Sequence, residues 1–298
     1  MIKLRFILIF FSTLVLANDQ NFVDGPIPFG DSGVQYRPYT EIQKEMKNLA
    51  AKNGTFVKYV EYGKTVQNIP LSMIRIETKH LKFFDKRPAV EISGAIHGNE
   101  YLDVEWPMVK YIVENRDNLK GIKSFLDAGG VFYFIPIINP DGYTSRARYN
   151  KNGKDLNRDF DEIPMGLKLF TQPETKSLAD YIDKDMTANN LALKMTLDYH
   201  CCVPALIYPW NYKDVYPTGI PLKTFKDISD IQKRALGFIA GNAMNTVGYN
   251  AVGTSVDYYF AKYDTYALTI EGAYGGELKH LVDHVKFVDE VIEKIVLK

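Results

Sequence analysis

The run of apolar and polar positions divides the chain into helical and extended segments. YTEIQKEMKNLAAKNG, from Tyr39, carries apolar residues at helical spacing and ends in a glycine, which predicts a first helix with a C-terminal glycine cap. FVKYVEYG and PLSMIRIET alternate and read as a hairpin pair. AVEISGAI and VFYFIPII are more continuously apolar, as strands buried on both faces are, and YLDVEWPMVKYIVENRDN between them reads as a crossover helix. Strand, helix, parallel strand is the unit of an α/β sheet.

The second half continues in the same way. TQPETKSLADYIDK sets Thr171 and Glu174 at capping-box spacing with Pro173 in the first turn, which predicts a helix start. LALKMTLDY is a strand running into His200, and FKDISDIQKRALGFIAGNAMNTVG predicts one long helix. YALTIEG is a strand that brings up Glu271, and LKHLVDHVKFVDEVIEKIVLK a closing helix. The expectation is a mixed sheet with helices on both faces, without linker or internal repeat.

The N-terminus follows a different pattern. MIKLR is positive, FILIFFSTLVL is apolar over residues 6–16, and Val15-Leu16-Ala17 offers small residues to a signal peptidase. The run is shorter than the ~20 residues of a spanning helix. Residues 1–17 are therefore expected to be a cleaved signal for export, periplasmic or extracellular, with no membrane insertion afterwards. Residues 18–35 read as a Gly/Pro-rich lead-in and 36–298 as a single domain, since 46% hydrophobic content over 298 residues suffices for one large core.

Charge narrows the partner. Lys plus Arg and Asp plus Glu are each 36, so nothing marks a basic footprint for nucleic acid. A small molecule or peptide is the better substrate class. The two cysteines, Cys201 and Cys202, are adjacent and cannot staple distant segments. The simpler reading is two small buried thiols, the alternative a vicinal disulfide.

The chemistry-bearing residues collect at strand ends. His97 with Glu100, the segment from NPDGY to DLNRDF, His200 and Glu271 each follow an apolar run, and open α/β sheets bind ligands at the carboxyl edge of their strands. Two imidazoles and a carboxylate are the donor set of a catalytic zinc. Asp155 could accept the second N–H of a ligand imidazole. Asn157 and Arg158 suit a carboxylate, Arg148 an oxyanion, and Glu271 a proton taken from water.

Taken together, YTEIQKEMKNLAAKNG, GKTVQNIPL, HGNE, NPDGY, RYNKNGKDLNRDF, QPETKSLADYI, HCCVPALIYPW and TIEGAYGG resemble, in order and spacing, the zinc metallocarboxypeptidases of the carboxypeptidase A and N/E superfamily, from about Tyr36 to Lys298. The resemblance implies an α/β fold with a mixed, mainly parallel, twisted eight-stranded sheet. It implies one zinc per chain, held by His97, Glu100 and His200, with Asp155 orienting His97. It further implies an exopeptidase that removes the C-terminal residue of peptides with a free terminal carboxylate, using metal-activated water and Glu271 as general base.

By the same resemblance Arg148 stabilises the oxyanion, and spacing prefers it to Arg146. Asn157 and Arg158 clamp the terminal carboxylate, and Tyr249 closes over it. Val256 occupies the position that lines the terminal side-chain pocket, which favours apolar or small terminal residues, although Asp257 is adjacent. A non-proline cis link at Cys201-Cys202 is also implied. The short lead-in and the final helix leave no room for a folded pro-domain or a transthyretin-like domain, so activity without proteolytic activation and a monomeric state are expected. Two alternatives stay open: a peptidoglycan stem-peptide carboxypeptidase or amidase using the same zinc site, and an inactive peptide-binding protein on the same scaffold.

Overall fold

The computed structural model describes residues 32–78 and 85–298. The expected signal (1–17) and most of the lead-in lie outside the described residues. Helix α1 (Tyr39–Lys52) buries Tyr39, Ile42 and Met46, the three- and four-residue stripe of an amphipathic helix. Truncating Ile42 or Met46 to alanine would cost roughly 2–5 kcal/mol. Strands β1 (Val57–Lys64) and β2 (Pro70–Glu77) form the expected antiparallel hairpin.

Strand β3 (Arg87–Gly94) leads into a crossover of two helices rather than one, α2 (Glu105–Asn115) and α3 (Lys120–Asp127), before the parallel strand β4 (Val131–Ile135). The first helix starts only at Glu105 because that carboxylate accepts the N–H groups of Leu102 and Val104, each at 3.0 Å, and holds residues 101–104 as a turn. The short helix α4 (Pro140–Ser145) is capped by Asn139, whose Oδ1 accepts the Gly142 N–H at 2.9 Å. Helix α5 (Pro173–Asn189) begins where expected, but not by the expected capping box. Asp159 accepts from the N–H groups of Thr171 and Gln172, at 2.8 and 3.0 Å, so a distant carboxylate anchors the turn that enters the helix. Glu174 turns away to the Val66 N–H and Asn150.

Strand β5 (Leu191–Cys201) is followed by β6 (Ala205–Ile207), α6 (Ile220–Leu236), β7 (Ile239–Gly241), α7 (Ala243–Thr246), α8 (Ser255–Tyr263), β8 (Tyr266–Gly272) and α9 (Leu281–Val291). The single long helix expected over residues 225–248 is broken. Gly237 takes φ +74° and closes α6, after which β7 pairs with β6. That pairing is non-local and gives no periodic signal in three residues.

The eight strands form one sheet in the order β1-β2-β4-β3-β5-β8-β6-β7. Its centre, β4-β3-β5-β8, is parallel, and the outer β1, β2 and β6 pair antiparallel, so the sheet is mixed. Alternation sends Val90, Ile92 and Leu197 to one face, where α1, α2, α6 and α9 cover them. Ala89, Tyr133 and Leu193 go to the other, beneath α5 and α8. Burial on both faces is why the central strands read as apolar runs. It also leaves their carboxyl ends as the open edge, with His200 directly opposite Glu271.

Candidate active site

Three strand ends supply the cluster. His97 and Glu100 lie in the turn after β3, His200 near the end of β5 and Glu271 near the end of β8. Gly98 has a specific use here. A Cβ on it would stand 2.0 Å from the Gly142 carbonyl carbon and 2.2 Å from the Tyr143 nitrogen, so only glycine lets the turn pass over the start of α4. Asn139 ties the same two segments by donating to the Ile96 carbonyl at 3.2 Å.

Hydrogen bonds settle which nitrogens face inward. Nε2 of His97 lies 2.9 Å from Asp155 Oδ1, and Nε2 of His200 lies 3.0 Å from Asp198 Oδ2. A carboxylate only accepts, so a hydrogen on each Nε2 satisfies these acids and, with a metal ion on the inner side, would leave each Nδ1 lone pair to hold it. Both Nδ1 atoms face Oε2 of Glu100, at 2.9 and 3.0 Å. The three residues are buried, and their donor atoms lie within 4.8 Å of one another. Two nitrogens and one oxygen with second imidazole nitrogens anchored to acids fit a zinc ion.

The electrostatics agree with that fit. Burial works against the charge on Glu100, yet His97 and His200 hold its carboxyl below the usual range. Burial also disfavours a cation at His200, but Asp198 and Glu100 outweigh it and raise the imidazole well above its ordinary value. A field that favours a proton among these acids favours a dication more strongly. Asp155 is likewise held well below the usual carboxylate range against its burial, by His97 and Arg148.

Around this centre lies a cleft lined by Arg148, Asn157, Arg158, Tyr249 and Glu271 as well as the triad. Arg148 donates to Glu100 Oε1 at 2.8 Å and to Asp155 Oδ2 at 3.0 Å. Asn157 Oδ1 accepts the Ser255 N–H at 2.9 Å, and Arg158 lies 5.9 Å from the Tyr249 ring centre. Arg146 goes elsewhere, stacking 4.7 Å over Tyr36, and does not line the cleft. Oε2 of Glu271 is buried without a partner, and burial pushes the carboxyl up to about 8, with His200 opposing and Glu100 adding to the rise. A dication nearby would return it to the ionised, proton-accepting form.

The zinc carboxypeptidase sequence profile matches residues 42–293. The chain belongs to the zinc carboxypeptidase family. Carboxypeptidase A4 of Mus musculus is 25% identical over 280 residues, covering 80% of this chain and 64% of its own length. The chain thus spans about three-fifths of the curated relatives it matches first. The crystal structure of thrombin activatable fibrinolysis inhibitor shares the fold at 19% identity and TM-score 0.70, with 88% of this chain and 75% of that chain covered. Carboxypeptidase A from Helicoverpa Armigera does so at 23% identity and TM-score 0.66, with 87% and 70% covered.

One expectation for this family member needs correction. Val256 is 1% exposed, packs in the core beneath α5 and α8, and is not among the residues lining the cleft. It stands in the first turn of α8, which carries it into the core beside Tyr258 and Tyr259. Its neighbour Asp257 also faces away, binding the N–H groups of Asn211 and Tyr212 at 2.9 Å. The cleft wall is formed instead by Ile207, Asn211, Ala243, Ala251, Thr254 and Thr269. The peptide link between Cys201 and Cys202 is cis, as expected.

Asp198 was not legible as a site residue. It sits two before His200 on the same strand, and strand alternation alone puts the pair on one face. That was the available signal.

Proposed function

We propose that this chain is a zinc-dependent exopeptidase that hydrolyses the C-terminal residue from peptides bearing a free carboxylate, with one zinc per chain. The observation that carries the reading is the unpartnered Glu271 Oε2 in the same cleft as the His97-Glu100-His200 triad. An acceptor without a donor beside a metal triad is what a general base for water requires. Zinc, when bound, supplies Lewis acidity towards water and the scissile carbonyl.

The chain's own groups divide the remaining work. Glu271 takes the proton of the attacking water and returns it to the leaving amine. Arg148 neutralises charge developing on the carbonyl oxygen. Arg158 and Asn157 hold the terminal carboxylate, and Tyr249, beside Arg158, closes over it. Ile207, Ala243 and Ala251 give the wall a small, largely apolar character that disfavours charged terminal side chains. The basic, apolar and small-residue run of residues 1–17 supports export, and residues 36–298 form the catalytic domain. Among the described residues no helix is long and apolar enough to cross a membrane.

The test is metal dependence followed by separation of binding from chemistry. Incubation with 1,10-phenanthroline should abolish hydrolysis of blocked dipeptides, and added zinc should restore it. Glu271→Gln should keep stoichiometric zinc and lose turnover by about 1,000-fold or more. Zinc-replete Glu271→Gln with undiminished hydrolysis would overturn the mechanism. Cleavage confined to muropeptides would replace the peptide substrate by cell-wall stems.

A further inference from the structure

Asn211 is the polar exception in the cleft wall. Its backbone is held at both ends: the N–H donates to both Asp257 oxygens at 2.9 Å, and the carbonyl accepts the Ala251 N–H at 2.8 Å. The side chain is nearly unused. Nδ2 reaches only Thr254 Oγ1, at a long 3.4 Å, and Oδ1 is buried with no partner, in a residue only 6% exposed. A buried amide oxygen without a donor is costly and calls for an explanation. Here the residue borders the space beside the triad that the exopeptidase reading gives to the terminal side chain.

We propose that Asn211 is the specificity-determining residue of that pocket and selects substrates whose C-terminal residue is a carboxamide, asparagine or glutamine. The proposal rests on the exopeptidase reading. A carboxamide donates to Oδ1 and accepts from Nδ2, so it completes both ends of the Asn211 amide. A half-turn of that amide exchanges its ends, and a carboxamide matches either arrangement. The rival side chains fit worse. An aliphatic one leaves Oδ1 dry. A carboxylate offers Oδ1 no hydrogen. An ammonium finds no countercharge, because Asp257 is fully buried behind the wall and occupied by the backbone of Asn211 and Tyr212. Apolar walls from Ile207 and Ala243 suit the methylenes of either amide.

The experiment compares zinc-loaded wild type and Asn211→Leu on benzoyl-glycyl dipeptides ending in Asn, Leu, Asp or Lys, Leu and Asp being near-isosteres of Asn. Wild type should prefer Asn to Leu by about 10- to 100-fold in kcat/KM. Asn211→Leu should level or invert that ratio while still turning over the Leu dipeptide. Leu, Asp or Lys equal to or better than Asn in wild type overturns the pocket assignment alone, and this ranking does not depend on the variant folding. An unchanged ratio in a folded Asn211→Leu enzyme does the same. If zinc-replete wild type cleaves none of the four, the exopeptidase reading falls, and the assignment with it.

Discussion

Two adjacent rungs of the sheet, on the same face, bury an acid in opposite ways. At the rung where Ser93 of β3 faces Asp198 of β5, the carboxylate accepts from Ser93 Oγ at 3.2 Å, Ser255 Oγ at 3.1 Å and His200 Nε2 at 3.0 Å. At the next rung Glu91 faces Thr196, and neither Glu91 oxygen has a partner. Burial pushes the Glu91 carboxyl well above the usual range, and Asp198 adds to the rise. The sheet thus surrounds one acid with donors, an imidazole among them, and one step away buries another in surroundings that favour its neutral form. Both acids are buried, so the donors around Asp198, rather than burial itself, separate the two.

The strongest way to break this comparison is Asp198→Ala. It strips His200 of its Nε2 acceptor and should weaken zinc binding about 10- to 100-fold, read by competition with a chromophoric chelator. Wild-type affinity in this variant would mean that the Asp198 rung does not serve the metal.

Glu91→Gln probes the other rung through pH. The folded carboxyl stays protonated where the unfolded one ionises, so the folded state binds more protons above the ordinary Glu range. Wild-type stability should be full below that range and fall as pH rises, by about 1.4 kcal/mol per unit until the folded value is passed. Gln titrates in neither state, so urea melts at about pH 5 and about pH 8 should show the variant gaining on wild type with pH. A pH-independent difference would sink the neutral-acid assignment.

Ser255→Ala should have the smallest effect, about 0.5–1.5 kcal/mol in the same melts, because Asp198 keeps two other donors. A loss several times larger would show that Ser255, rather than Ser93 and His200, is the main partner of Asp198.

Much of the site was legible because its residue types are rare and fall at strand ends. His97, Glu100, His200 and Glu271 could be placed on one sheet edge once β3, β5 and β8 were recognised. The wall of the cleft was not legible. Asn211, Thr254 and Ala243 come from a loop, a helix cap and the first residue of α7, and no periodicity links them. Val256 illustrates the same limit. Its position in the chain suggested a pocket residue, while one turn of helix carried it into the core.

The sequence alone determined what depends on neighbours along the chain: the amphipathic stripe of α1, the hairpin, the buried central strands and the candidate donor residues. Only the tertiary structure decided what depends on neighbours across it. Asp159 anchors the entry to α5, β7 pairs where a helix was expected, and Asp155 and Asp198 choose which imidazole nitrogens face inward. The reason is physical: propensity and periodicity act over a few residues, whereas a buried donor must be met by whatever acceptor the fold brings beside it.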